Sequence, residues 1–258
     1  MIFETHAHYD DAAFDEDRDA LLARLPKENI EIVVNVGASL QGARNSMELA
    51  HRYPFMYAAV GVHPSDIGDL SEEAMEELYA MTKDRRCVAI GEIGLDYYWD
   101  KEADVQQAQR EWFRRQLQMA KDTKLPVIIH SRDAAEDTLN IMKEASAMEI
   151  PGVIHCYSYS PEMAAEFVKL GYHIGVGGVV TFKNSRKLKE TVEQIPLDRI
   201  LLETDCPYMA PEPFRGMRND STYIPYVIEI IAKLRGITQD EVMVTTRENA
   251  RRLFSRVK

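Results

Sequence analysis

The chain has 258 residues, of which 45% are hydrophobic and 28% charged, a balance typical of a folded globular protein rather than a disordered one. Its net charge of −11 argues against a broad basic surface that would hold nucleic acid by phosphates alone, but not against a nucleic-acid substrate held by metal ions. The beginning lacks the pattern of a signal peptide, and no stretch reaches the ~20 apolar residues of a membrane span. An odd number of cysteines, Cys87, Cys156 and Cys206, fits a reducing compartment, so we expect a cytoplasmic protein without a membrane partner.

Strand-like and helix-like segments alternate along the chain. Short apolar runs closed by glycine or polar residues predict eight strands, which begin near Ile2, Ile30, Tyr57, Cys87, Pro126, Gly152, Tyr172 and Arg199. Helical spacing and capping residues predict helices over 12–25, 40–52, 71–83, 104–121, 134–148, 160–170, 187–195 and 224–234, and a last helix opened by Thr238-x-x-Glu241. The helix over 104–121 is predicted to be amphipathic, with Val105, Ala108, Trp112 and Leu117 near one face.

This alternation predicts the fold. Continuously apolar strands separated by helices are typical of a parallel sheet that is buried on both faces. Eight such units in about 250 residues fit a single (β/α)8 TIM barrel spanning residues 1–258. An open, doubly wound sheet is the structural alternative, and no linker or low-complexity segment divides the chain into two domains.

Side chains with metal-binding chemistry follow the predicted strands. In a TIM barrel the chemistry lies at the C-terminal ends of the strands. The residues at those ends are His6, His8, His63, Glu92, His130, His155 and Asp205. Residues i and i+2 of a strand point to one face, so His6 and His8 should converge. One such histidine is more often a core residue with a satisfied hydrogen bond, but five of the seven histidines on one rim indicate a metal site.

Four imidazoles and two carboxylates suit a pair of divalent cations. We assign His6, His8 and Asp205 to one metal ion, His130 and His155 to the other, and Glu92 to both as a bridging carboxylate.

The motifs around these residues resemble the TatD family of metal-dependent deoxyribonucleases, in order and over nearly the whole chain. They are Glu4-Thr5-His6-Ala7-His8, Gly61-Val62-His63-Pro64, Gly91-Glu92-Ile93-Gly94-Leu95-Asp96, His130-Ser131-Arg132-Asp133-Ala134, His155-Cys156-Tyr157-Ser158, Glu203-Thr204-Asp205-Cys206-Pro207-Tyr208, Pro213-Phe214-Arg215-Gly216-Met217-Arg218-Asn219 and Asn249-Ala250-Arg251-Arg252-Leu253-Phe254. The resemblance implies a hydrolase barrel with a two-metal site, with the same ligand roles, that hydrolyses DNA phosphodiesters.

Three positions depart from the family pattern. Glu4 stands where an aspartate is usual, which changes by one methylene any contact that supports a ligand histidine. Tyr159 stands where glycine is common, and Asp220-Ser221 replaces a more usual Glu-Pro. The predicted metal ligands are intact, so these changes bear on substrate preference.

The predicted activity is 3'-5' exonucleolytic hydrolysis of single-stranded DNA or DNA ends by two divalent ions, Zn, Mg or Mn, in a monomer. Asp205 and Glu92 are the predicted catalytic residues, and Asp205 could also accept the proton of the attacking water. His63, Arg132, Arg215 and Arg218 are the predicted substrate contacts, alongside rim aromatics that could stack bases.

Two other functions use the same site. A binuclear amidohydrolase, esterase or lactonase would cleave a small C–N or C–O bond; its usual bridging carbamate needs a lysine, and this chain offers Glu92 instead. A metal-loaded scaffold without turnover is disfavoured, because open coordination positions have no use in a scaffold.

Overall fold

The computed structural model describes the backbone of all 258 residues and the side chains of all but Asp69, Ala147 and Met148. Eight parallel strands follow one another around a single sheet in chain order. They are β1 (Ile2–Ala7), β2 (Ile30–Val36), β3 (Met56–Val60), β4 (Cys87–Asp96), β5 (Val127–Arg132), β6 (Gly152–Ile154), β7 (His173–Val176) and β8 (Ile200–Leu202). A parallel bridge between Ala7 and Cys206 joins the end of β1 to the segment that follows β8. The sheet is therefore a barrel, as predicted, and not the open alternative.

Helices connect the strands and cover the barrel. They are α1 (Arg18–Arg24), α2 (Leu40–Arg52), α3 (Glu72–Met81), α4 (Ala103–Thr123), α5 (Ala135–Glu144), α6 (Pro161–Lys169), α7 (Arg186–Gln194), α8 (Ile224–Arg235) and α9 (Gln239–Leu253). The predicted caps form: the side chains of Ser71, Ser160 and Thr238 accept hydrogen bonds from backbone amides in the first turns of α3, α6 and α9. Within the described residues, no helix is long and apolar enough to cross a membrane.

The first predicted helix is shorter than expected. The segment over 12–25 divides into a 3-10 turn, Ala12–Phe14, and α1, and a second 3-10 turn, Leu25–Glu28, contains Pro26. The guanidinium of Arg18 donates to the carbonyls of Tyr9 and Asp11 and so fixes a non-helical entry. Pro26 stands in the first turn of its 3-10 segment, where its missing N–H is not needed.

The apolar face predicted for α4 is only partly buried. Leu117 is buried and Val105, Ala108 and Trp112 are half-buried, while two glutamines are among the buried residues of the helix. The amide of Gln116 accepts from the Val62 N–H and donates to its carbonyl, and Gln109 pairs in the same way with the backbone of Asp96. These glutamines hold the ends of two strands at the rim, which apolar periodicity does not reveal.

The closing helix covers the opposite end of the barrel. Phe254 is buried and its ring lies 5.8 Å from that of Phe3, near the start of β1. Asn249 donates to the carbonyls of Leu197 and Ile200, where β8 begins. The amino ends of the strands are therefore covered, and the carboxyl ends carry the polar residues.

Candidate metal centre

Six side chains from five strands meet at the carboxyl-end face of the barrel. Each strand is held by apolar packing on both sides, so the residue at its end is placed with little freedom. The six are His6, His8, Glu92, His130, His155 and Asp205. The structure thus brings together every residue that the sequence predicts as a metal ligand.

Glu92 lies at the middle of this group and is 4% exposed. Its Oε1 is 2.6 Å from His155 Nε2 and 2.9 Å from His130 Nδ1. Its Oε2 is 3.4 Å from His6 Nε2 and 3.7 Å from His8 Nε2. The two oxygens of one carboxylate therefore face two different pairs of imidazoles.

Asp205 completes the first of these two donor sets. Its Oδ1 is 3.6 Å from His6 Nε2 and 3.4 Å from His8 Nε2. The side chain is 16% exposed, against 5% for that of Glu92, so Asp205 is the more open of the two carboxylates. It stands where water or substrate can reach it.

Hydrogen bonds on the outer sides of the rings fix which nitrogens face inward. His8 Nδ1 lies 2.8 Å from the carbonyl of Val36, and His130 Nε2 lies 3.0 Å from Asp96 Oδ2, so both must donate. In the neutral rings their inward nitrogens carry lone pairs, 3.0 Å from His6 Nε2 and 3.2 Å from His155 Nε2. Nitrogens and carboxylates this close together are held by shared protons or by metal cations, and the donor set fits divalent metal ions.

The acid–base properties of the group agree with this fit. Burial would raise the pKa of Glu92, but the imidazoles of His155, His130 and His6 outweigh it and hold that pKa well below 4.5. Burial lowers the pKa of His155, yet the Glu92 carboxylate raises it to about 10. Without metal, the site therefore retains protons on its imidazoles, and metal binding should release them.

His63 presents a different chemistry to the same space. Its Nδ1 accepts from the Ser65 amide at 3.1 Å, so in the neutral ring the proton sits on Nε2, which lies 3.8 Å from Glu92 Oε1. Burial and the neighbouring His130 lower the pKa of His63 to about 4, which keeps the ring neutral. His63 therefore offers a hydrogen-bond donor rather than a lone pair, which suits a substrate oxygen better than a metal.

The three arginines that are predicted to contact substrate have different partners in the structure. Arg132 lies over the ring of Tyr98 at 3.9 Å, and Arg215 lies over the ring of Phe182 at 4.3 Å. Among the described side chains, neither guanidinium has a carboxylate partner. Arg218 instead donates two hydrogen bonds of 2.7 Å to Asp17, so its charge is already compensated.

Sequence reasoning missed two carboxylates that support the centre. Asp96 Oδ2 accepts a hydrogen bond from His130 Nε2, and its Oδ1 accepts from the backbone amides of Tyr98 and Trp99. Glu203 accepts from the Cys156 amide, and its Oε1 lies 4.0 Å from His155 Nδ1. A signal was available for Asp96, which lies four residues after Glu92 and so on the same side of β4.

Glu4 and Ser221, two residues that depart from the family pattern, are in contact with each other. Glu4 Oε1 accepts from the amides of His6 and Thr204, and Ser221 Oγ lies 3.1 Å from Glu4 Oε2. Glu4 thus supports the backbone of a ligand histidine across the β1–β8 seam rather than its ring. Tyr159, the third departure, binds Ser131 and the Ala134 amide through its hydroxyl.

A β/α barrel with metal-binding side chains at the carboxyl ends of its strands has the arrangement of a metal-dependent barrel enzyme. The profile of the family described as "TatD related DNase" matches residues 3–255. The chain belongs to the TatD family.

Individual relatives agree over nearly their full length. The chain is 44% identical to the metal-dependent hydrolase YabD of Bacillus subtilis (strain 168), covering 98% of this chain and 99% of that protein. It is 34% identical to the metal-dependent hydrolase YcfH of Escherichia coli (strain K12), over 98% and 96%. The crystal structure of YjjV, a TatD homolog from Escherichia coli K12, superposes with a TM-score of 0.91 at 32% identity, covering 98% of both chains. This chain is a metal-dependent hydrolase of that family.

Proposed function

We propose that the protein hydrolyses DNA phosphodiester bonds with two divalent ions, Zn, Mg or Mn, as a 3'-5' exonuclease on single strands. The observation that carries the proposal is the orientation of Glu92, whose two oxygens face separate donor pairs. His6, His8 and Asp205 would hold one ion, His130 and His155 the other, and Glu92 both. The family description "TatD related DNase" supports DNA as the substrate.

Bound divalent ions would supply Lewis acidity that activates water and neutralises phosphate oxygens. Asp205, the more exposed carboxylate, accepts the proton of the attacking water. The Nε2–H of His63 donates to a phosphate oxygen, in the manner of other preorganised donors. Asp96 keeps the His130 ring oriented through the cycle.

Rim side chains supply the remaining contacts with the strand. Arg132 and Arg215 are cations without a carboxylate partner among the described side chains, in a protein of net charge −11. Trp99 is 67% exposed and Tyr98 42%, and both lie beside Arg132, so they can stack an unpaired base. A few cations around a barrel mouth suit a strand end, and we propose that the protein acts as a monomer in the cytoplasm.

The decisive experiment is metal-supplemented hydrolysis of a single-stranded DNA labelled at either end, with duplex DNA, RNA, a lactone and an amide assayed in parallel. We expect stepwise shortening from the 3' end. The Glu92→Gln variant should be inactive, and Glu77→Gln, a surface carboxylate paired with Arg44, serves as the matched control. Turnover of the lactone or amide with intact DNA would instead favour the amidohydrolase or esterase alternative.

A further inference from the structure

A cavity of about 450 Å³ opens among the loops at the carboxyl ends of the strands. It lies between the loop after β6 and the segment that joins β7 to α7. Its lining residues are Ser158, Val179, Phe182, Asn184, Ser185, Arg186, Lys187 and Leu188. Ser158 is three residues beyond His155, so the cavity adjoins the predicted metal ligands, and its volume lies within the ~300–1,000 Å³ of small-molecule sites.

Positive charge is concentrated along the segment that supplies most of this lining. The segment 183–189 contains four cations, Lys183, Arg186, Lys187 and Lys189, and no carboxylate. Arg186 and Lys187 line the cavity, and Lys183 lies in the chain between the lining residues Phe182 and Asn184. Arg186 is paired with Glu190 at 2.6 Å, but Lys183 and Lys187 have no ion-pair partner among the side chains that the structure describes. Two uncompensated lysines in a protein of net charge −11 favour an anionic ligand.

The start of α7 adds to this preference. The Ser185 side chain does not cap the helix, because its hydroxyl donates to the carbonyls of Val180 and Phe182. The first turn contains no acidic residue but does contain Arg186 and Lys187, which the helix dipole disfavours at an amino terminus. An anion in the cavity would accept hydrogen bonds from the uncapped amides and would offset the positive charges at the start of the helix.

A further cation, Arg215, stands on the loop after β8. Arg215 lies over the ring of Phe182, which lines the cavity, and the Glu212 amide donates to Thr181 Oγ1 at 2.8 Å. The loops after β7 and β8 are thus joined at this point. These are the loops that form phosphate sites in many TIM barrels.

We propose that this cavity binds one nucleotide unit of the substrate strand, with its phosphate near Lys183 and Lys187, at a distance from the bond that is cut. The inference rests on the proposed function and adds a subsite to it. The strand would then pass from the metal centre across Ser158 into the cavity, so the enzyme should prefer substrates long enough to reach it.

The test is the double variant Lys183→Gln/Lys187→Gln, assayed on single-stranded oligonucleotides of two to six nucleotides. We expect KM for the hexanucleotide to rise about tenfold with kcat within about twofold, and the effect to grow with substrate length. The slope of log affinity against log salt for a non-hydrolysable hexanucleotide should become shallower by roughly 0.7 for each phosphate that the variant no longer neutralises. Lys121→Gln/Lys124→Gln is the matched control, since it removes the same charge from the carboxyl end of α4, before β5.

Two results would overturn the subsite: an unchanged KM at every length, or an equal rise in both double variants. The proposed function is judged separately by the unmodified protein. If that protein cleaves no oligonucleotide, the proposed function fails, and the subsite is then decided by hexanucleotide binding alone, which the first double variant must weaken and the control must not.

Discussion

Replacing Asp96 with asparagine would remove a carboxylate that touches no predicted metal ion but orients one of its ligands. Asp96 is buried, and its Oδ2 accepts from His130 Nε2 at 3.0 Å. The asparagine oxygen can still accept from the amides of Tyr98 and Trp99. Its NH₂ group then faces the His130 N–H, donor against donor, so the ring must turn or change tautomer.

The expected magnitude follows from this geometry. One hydrogen bond to one of two donor sets is removed, and changes of that kind reduce metal affinity or activity by about 10- to 100-fold, or roughly 1.4 to 2.7 kcal/mol. His8 keeps its bond to the Val36 carbonyl, so the other set is untouched. Metal titration followed by calorimetry should therefore show one weakened site and one normal site, with turnover restored at high metal concentration.

The control is Asp137→Asn, which removes a carboxylate that accepts from the Tyr97 hydroxyl and Arg110, outside the centre. It should leave both metal affinities unchanged. If Asp96→Asn left both affinities normal, or weakened both equally, the orienting role of Asp96 would be refuted.

Four further outcomes are expected. Glu92→Gln should lose both metal ions and all turnover while staying folded; elemental analysis that finds full metal content would show that Glu92 is not the bridge. Asp205→Asn should lower kcat by at least ~10²-fold at saturating metal, and near-normal kcat would exclude it as the proton acceptor. Oligonucleotide binding at saturating metal should show a salt slope of roughly −1.5 to −3, whereas about −6 or steeper would require a much larger basic surface. Burial raises the pKa of Glu4 from 4.5 to about 8 in the folded protein, so its contribution to stability is fully present below pH 4.5 and is lost as the pH rises towards 8. In urea unfolding of the metal-free protein, the free energy of unfolding of Glu4→Gln should therefore rise relative to that of wild type by up to about 1.4 kcal/mol per pH unit across that window. Parallel pH profiles of the two proteins would contradict this.

The barrel and its rim could be predicted because both depend on local sequence. An apolar run followed by a histidine or carboxylate specifies a buried strand and what stands at its end, as with Pro126 to His130. The closed sheet then brings such ends together without any further information. The position of Glu92 between the two pairs of imidazoles is consistent with its predicted role as a bridge.

Contacts between distant segments were not predictable from local pattern. Arg218 has the sequence context of a substrate contact, but its partner Asp17 lies 201 residues away and takes up its charge. The glutamines of α4 look like surface residues until the strand-end backbone that they bind is in place. Glu4 and Ser221 departed separately from the family pattern, and only the fold shows that they touch.

The seam between β1 and β8 has a consequence for how the protein is made. Glu4 and Thr204, which meet there, are 200 residues apart in the chain. His6 and His8 precede Asp205 in the chain, so this donor set is complete only after synthesis has passed β8. Contacts between segments so far apart are expected to form late, because the cost of closing the intervening loop must be met before they can form. Partly synthesised or partly folded chains therefore lack one complete donor set, and tight metal binding should mark molecules whose barrel has closed.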